Sequence, residues 1–155
     1  MAPHDIATHY QLTPSEICEQ LILNGYSPCP LKPLSKAITI PNWAKRIFEP
    51  EDFSPRNGVG IKTGNGLVAM DIDVYDEAIS QNLADIAFEI FGYTAIREGK
   101  YPKKALLYRC TECSMPNEIK IRQTEATSEG KLNKIELLRD NRQIVVAAIH
   151  PGTKR

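Results

Sequence analysis

Residues 66–76 read GLVAMDIDVYD and bring two carboxylates, Asp71 and Asp73, to the end of an apolar run. Side chains alternate along an extended strand, so Asp71 and Asp73 share one face while Ile72 enters the opposite layer. Two like charges side by side are costly unless a cation neutralises them or one carboxyl takes up a proton, and a hard divalent metal such as Mg²⁺ is the economical partner. The competing explanation is that both carboxylates decorate a strand end or cap the next helix, and an isolated D-x-D does not choose between the two. The apolar lead-in LVAM favours the metal.

Two further stretches carry candidate chemistry. In KIELLRDNRQIVVAAIHPGTKR, Glu136 sits inside an otherwise apolar strand, where an unpaired carboxylate is expensive. It is a candidate third ligand, or else the solvent-face residue of an alternating strand flanked by Ile135 and Leu137. The next strand, its expected pairing partner, ends at His150. In AIREGKYPKKALLYR, the cations Arg97, Lys100, Lys103, Lys104 and Arg109 crowd one strand-turn-strand segment. Clustered cations beside carboxylates suit phosphates, with lysine as a point charge and arginine as a fork, although a solvated turn is the commoner meaning of such a run. CTEC, residues 110–113, lacks the second pair that a structural zinc site needs.

The elements that must hold these residues are legible in outline. LTPSEICEQLILNGY predicts a helix with Thr13 as cap, Pro14 in the first turn, Glu16 completing a capping box and Gly25 as stop. The proline-rich SPCPLKPLSKAITIP excludes a central strand or a helix and predicts an irregular segment at the surface, and PNWAKRIF predicts a short helix. GVGIKT, the turn TGNG and LVAMDID together predict a hairpin that ends at the carboxylates. DEAISQNLADIAFEIFG predicts a helix packing Ile79, Leu83, Ile86, Ala87 and Ile90 on a sheet, with Gly92 as stop. YTAIRE, KALLYRC, EIKIRQ, KIELLRD and RQIVVAAI then predict five short strands. The fold class expected is α+β with a mostly antiparallel sheet.

The composition agrees with one compact domain. The 155 residues suffice for a single core, 42% are apolar and 25% charged, and mean hydropathy is mildly negative. Disorder is therefore not expected. No apolar run approaches the roughly 18 residues of a membrane span, and MAPHDIATHY lacks the features of a signal peptide, so a cytoplasmic protein is expected. Four cysteines without an export signal read as reduced thiols, with Cys18 in the core. The net charge of zero leaves room for basic residues around one cleft.

Taken in order, the motifs resemble the N-terminal catalytic domain of the bifunctional DNA primase/polymerases, the prim-pol branch of the archaeo-eukaryotic primase superfamily found in phages, plasmids and prophages. LILNGYSPCPLKPLSKAITIPNW is similar to the family's opening helix, G-[YW]-x-x-x-P turn, lysine and tryptophan. NGVGIKTGNGLVAMDID matches its G-[VI]-G-[LI]-x-T-G strand and D-x-D metal motif. KIELLRDNRQIVVAAIHPGT resembles its late acidic strand and Q-x-V-x-x-x-x-H-P-x-T ending. The resemblance implies an RRM-like, mostly antiparallel sheet carrying the active site, fused to a small N-terminal α/β unit. The whole chain, 1–155, is then one prim-pol domain with a helical and irregular part at 1–56 and a β-rich core at 57–155, complete or a fragment of a longer protein.

By the same resemblance Asp71, Asp73 and Glu136 are the metal-binding and catalytic carboxylates, with Mg²⁺ or Mn²⁺ as cofactor, and His150 lies at the edge of the active site. Arg97, Lys103 and Lys104 are assigned to the triphosphate. The chain departs from the superfamily in one respect: the strand after the helix usually bears a histidine, and YPKKALLYR has none. A variant of the family with arginine, glycine and a Pro-Lys pair in this region is the better match. The implied activity is two-metal, template-directed nucleotide addition in DNA replication, as a primase or a polymerase. Its partners are single-stranded DNA, nucleoside triphosphates and a helicase domain or protein.

Three other readings share parts of this pattern. A haloacid-dehalogenase phosphatase also uses D-x-D, but wants a later acidic pair and a parallel α/β pattern. A D-x-D glycosyltransferase needs a larger nucleotide-sugar domain. A catalytically inactive RRM-like nucleic-acid-binding module would stack bases on sheet aromatics, and beyond Tyr93 at the start of the first late strand, Tyr108 is the one aromatic in those strands.

Overall fold

The computed structural model describes residues 12–110, 118–122, 127 and 130–148. Helix α1 (Pro14–Leu23) starts where expected: Thr13 and Glu16 close a reciprocal capping box, with Glu16 Oε2 accepting from the Thr13 N–H at 2.7 Å. Gly25, at φ 73°, ends it. Helix α2 (Glu77–Phe91) is capped by Asp76, whose side chain accepts from the Ile79 N–H at 2.9 Å, and is stopped by Gly92.

The described strands form two antiparallel sheets. The first joins β1 (Pro28–Leu31), β2 (Gly58–Lys62) and β8 (Gln143–Ala147) in that order. The second has the order β4-β5-β3-β7-β6, built from β3 (Leu67–Asp73), β4 (Ala95–Glu98), β5 (Lys104–Arg109), β6 (Glu118–Arg122) and β7 (Lys134–Leu138). The fold is α+β, and all five late strands fall on the segments that their β-branched pattern marks.

The predicted β2–β3 hairpin does not form. The chain does turn tightly at residues 64–67, where Gly64, Asn65 and Gly66 all take positive φ, but the two strands enter different sheets. A strand has only two edges; those of β2 are taken by β1 and β8, those of β3 by β5 and β7, and those of β7 by β3 and β6, so β8 is not the partner of β7 that the sequence suggests. The proline-rich segment is also better ordered than predicted: Pro28–Leu31 is a fully buried strand, tolerated because it lies at a sheet edge where a missing N–H is harmless. Conversely, residues 41–45 make turns rather than a helix, with Asn42 at φ 56° breaking the helical path.

Three apolar clusters tie the layers together. Ile61 and Ile144 of the small sheet meet Leu67, Ala69, Leu107 and Leu138 of the large one. On the far side of the small sheet, Cys18 of α1 packs with Cys29, Leu31, Phe48 and Val59. On the far side of the large sheet, α2 buries Ala84 and Ala87 against Ile72 and Leu106. The face of α2 that packs is thus rotated from the predicted one: Ser80, Ala84 and Ala87 go inward, with Leu83 partly buried, whereas Ile79, Ile86 and Ile90 stay exposed. Small residues let the helix backbone approach the sheet closely, which a row of isoleucines would prevent.

Candidate active site

The large sheet sets the geometry. Even-numbered residues of β3 (Met70, Ile72) face α2, and odd-numbered ones (Leu67, Ala69) face the small sheet. Asp71 and Asp73 continue the second set, so they share a face as alternation requires. Antiparallel registry then lines up Arg97 of β4, Ala105 of β5, Asp71 of β3, Glu136 of β7 and Lys120 of β6 in one row across five strands. In the next row Asp73 lies opposite Lys134. Glu136 is therefore beside the aspartates, on their face, and is only 8% exposed.

Lysines surround these carboxylates. Lys134 Nζ is 2.6 Å from Glu136 Oε2 and 3.6 Å from Asp73 Oδ2. Lys120 Nζ is 3.4 Å from Glu136 Oε1. Lys103 Nζ lies 2.5 Å from Asp73 Oδ1 and 4.0 Å from the centre of the Tyr75 ring. That Asp73 oxygen is shut off from solvent and receives no well-directed hydrogen bond among the described residues, so its contact with Lys103 is an ion pair of poor angle. Ser80, fully buried in α2, donates to Pro102 O at 2.7 Å and holds the turn that presents Lys103. Arg97 donates from Nε to Val145 O at 2.7 Å, which reaches from the large sheet to the small one.

The electrostatics follow from this crowding. Burial pushes the Asp71 carboxyl above the usual aspartate range; Arg97 pulls it down, and Asp73 and Glu136 push it further up. The hydrogen bond to Glu136 holds Lys134 above the ordinary lysine value against the opposing effect of burial. For Lys103 burial acts downward, but Asp73 and Tyr75 outweigh it and the net shift is upward.

Among the predicted residues, then, the fold brings Asp71, Asp73, Glu136, Arg97 and Lys103 onto one face. Lys104 lies on the other: it is opposite Ile72, and its Nζ meets Gln81 of α2 at 2.6 Å and Glu98 at 3.8 Å. Neighbouring strand residues point to opposite sides, so the Lys103–Lys104 pair is divided between the two faces. Arg109 is engaged elsewhere, donating to Gly25 O at 2.9 Å and lying 4.6 Å from the Tyr26 ring centre. His150 and Cys113 lie outside the described residues. Lys134 and Lys120 were missed by the sequence reading. The period-2 patterns K-I-E and E-I-K-I-R place them on the Glu136 face once registry is known, so the pattern was visible but not its partner.

Oxygen donors of this kind suit a hard divalent cation, and the solvent-excluded Asp73 Oδ1 is the sort of group such a cation satisfies. As they stand, the donors turn to lysines, and among the described residues no three acidic, histidine or cysteine side chains converge as a metal cage. A cation bound by Asp71, Asp73 and Glu136 therefore competes with Lys103 and Lys134 for the same oxygens. Comparison with family models and with curated proteins returned no match. No described helix is long and apolar enough to cross a membrane.

Proposed function

We propose that the chain is a primase/polymerase-type nucleotidyltransferase that adds nucleotides on a single-stranded DNA template. The observation that carries this reading is the cross-strand arrangement: Asp71 directly opposite Glu136, Asp73 two residues on, and Arg97, Lys103 and Lys134 around them. Three carboxylates ringed by cations on one face suit a substrate that arrives as a metal-bound polyphosphate.

Topology supports the same reading. The order β4-β5-β3-β7, with α2 crossing from β3 to β4 and β5 inserted between them, is the strand order of an RRM-like sheet. The competing RRM-like binding module is less well supported. Tyr108 lies on the α2 side, where its hydroxyl donates to Gly92 O at 3.3 Å, so it does not offer a stacking platform on the carboxylate face.

Mg²⁺ or Mn²⁺ held by Asp71, Asp73 and Glu136 would activate the attacking hydroxyl and offset charge on the departing pyrophosphate. The chain's own residues supply the remainder. Arg97 and Lys103 neutralise the triphosphate, and the side chains released from the carboxylates, Lys103 and Lys134, are then placed for its oxygens. Transfer forms a bond from the hydroxyl oxygen to the α-phosphorus as the bond to pyrophosphate breaks. Template binding through backbone phosphates would weaken as salt rises. The reading is tested by incorporation of labelled nucleotide on a single-stranded template. Product with Mg²⁺ or Mn²⁺, lost in Asp71→Asn, is expected; no product from the unmodified chain with either metal sinks the proposal.

A further inference from the structure

The large sheet has five strands, yet α2 covers only its β5 and β3 half. On one flank Gln81 meets Lys104, and Phe91 packs edge-on against Tyr108, both of β5. Ile79, Ile86 and Ile90 lie about 140–180° around the helix from Gln81, on the flank away from β5, and are 50%, 51% and 67% exposed. The sheet beside it continues the apolar surface: Ile135 and Ile121 are in register with Ile72, and Leu137 with Met70, so all three face the α2 side. Ile121 is 63% exposed. Among the described residues no second helix lies over these strands. Two strands at about 4.8 Å spacing give a floor about 10 Å wide, the diameter of one helix.

Charge selects the occupant. Helix α2 carries Glu77, Asp85 and Glu89 and no lysine or arginine, with Asp76 as its cap. Glu89 is about 60° around the helix from Ile86, at the rim of the apolar stripe, and Asp85 is beyond it. A second copy docking by this face would set one acidic helix against another. We propose that the β7–β6 half of the sheet, walled by α2, is a docking surface for an amphipathic helix of a partner protein, apolar on one face and basic along its flank. The inference is independent of the nucleotidyl-transfer reading, since it uses the opposite face of the sheet.

The test is fluorescence anisotropy of the full chain with a labelled amphipathic peptide of about 15 residues, matched to the length of α2. The peptide has leucine at i, i+3, i+4 and i+7 and lysine elsewhere; a second peptide replaces lysine with glutamate. The lysine peptide is expected to bind at least about tenfold more tightly, a difference of about 1.4 kcal/mol. Binding should be lost in the double variant Ile86→Ser, Ile90→Ser, whose targets are exposed and whose folding is checked by its thermal transition. Asp85→Lys with Glu89→Lys should reverse the preference toward the glutamate peptide, an outcome that general stickiness cannot mimic. Equal affinity for both peptides, unchanged binding in the serine variant, or no reversal on charge exchange overturns the proposal. So does a dimer of the unmodified chain in sedimentation that Ile86→Ser dissolves, because the face would then be a self-interface.

Discussion

Replacing Lys134 with Met separates the structural from the functional role of the lysines around the carboxylates. Methionine retains the length and apolar stem of the side chain but removes the ammonium from 2.6 Å of Glu136 and 3.6 Å of Asp73. A hydrogen bond to a charged group contributes about 1.5–3 kcal/mol. The lysine side chain is 31% exposed, so water shares in solvating it and the lower end applies, about 1.5 kcal/mol. For a domain of this size that is a fall in Tm of about 3–6 °C. The raised Lys134 pKa sets the pH window: its contribution is complete below the ordinary lysine value of 10.5 and is lost as pH rises through the higher folded value. The deficit should therefore be constant at neutral pH and close only in strong alkali.

Mn²⁺ supplies the second half of that experiment. A cation at about 100 times its Kd stabilises by about 2.7 kcal/mol. In the variant it no longer competes with the Lys134 ammonium for Asp73 and Glu136, so the rise in Tm at a given Mn²⁺ concentration should exceed that of the unmodified chain. Thermal unfolding with and without Mn²⁺ measures both effects. An unchanged Tm without metal refutes the ion-pair assignment, and an equal Mn²⁺ response in the two proteins refutes the idea that lysine and metal share the same oxygens.

Asp71→Asn should be more stable than the unmodified chain at neutral pH, because the buried carboxylate costs stability when ionised. Its raised pKa makes that advantage shrink as pH falls toward the ordinary aspartate value of 3.8, where the native residue is itself protonated; urea unfolding across pH checks both points. Lys103→Ala should weaken nucleotide binding while Lys104→Ala, on the α2 side, should leave it almost unchanged, and a comparable loss in both would contradict the division of the pair between faces. Arg97→Ala should cost about 1 kcal/mol of stability through the lost bond to Val145 O, in addition to any loss of nucleotide affinity. Ile72→Ala, at the fully buried contact between β3 and α2, should cost about 2–5 kcal/mol in urea unfolding, a small effect meaning that the helix does not seal that layer.

Elements governed by neighbours a few residues apart were legible. The Thr13–Glu16 box, the stops at Gly25 and Gly92 and the five late strands depend on capping geometry and side-chain alternation, which operate within one segment. The α2 register was harder to read. Its sequence offers a stripe of isoleucines and a stripe of Ser80, Ala84 and Ala87, and hydrophobicity alone selects the first. Close approach to a flat sheet selects the second, and the isoleucines are left on the outer flank.

The candidate site divides along the same line. From the sequence alone it followed that Asp71 and Asp73 share a face, because alternation is a property of any strand; the same rule puts Lys134 on the face of Glu136, although the sequence reading passed over that lysine. Only the tertiary structure decided that the two pairs lie against each other, with Asp71 opposite Glu136 and Asp73 opposite Lys134. Likewise only the fold sent β2 and β3 into separate sheets. Strand pairing is a competition among all strands for a limited number of edges, and its outcome is settled by burial of whole faces rather than by any one segment.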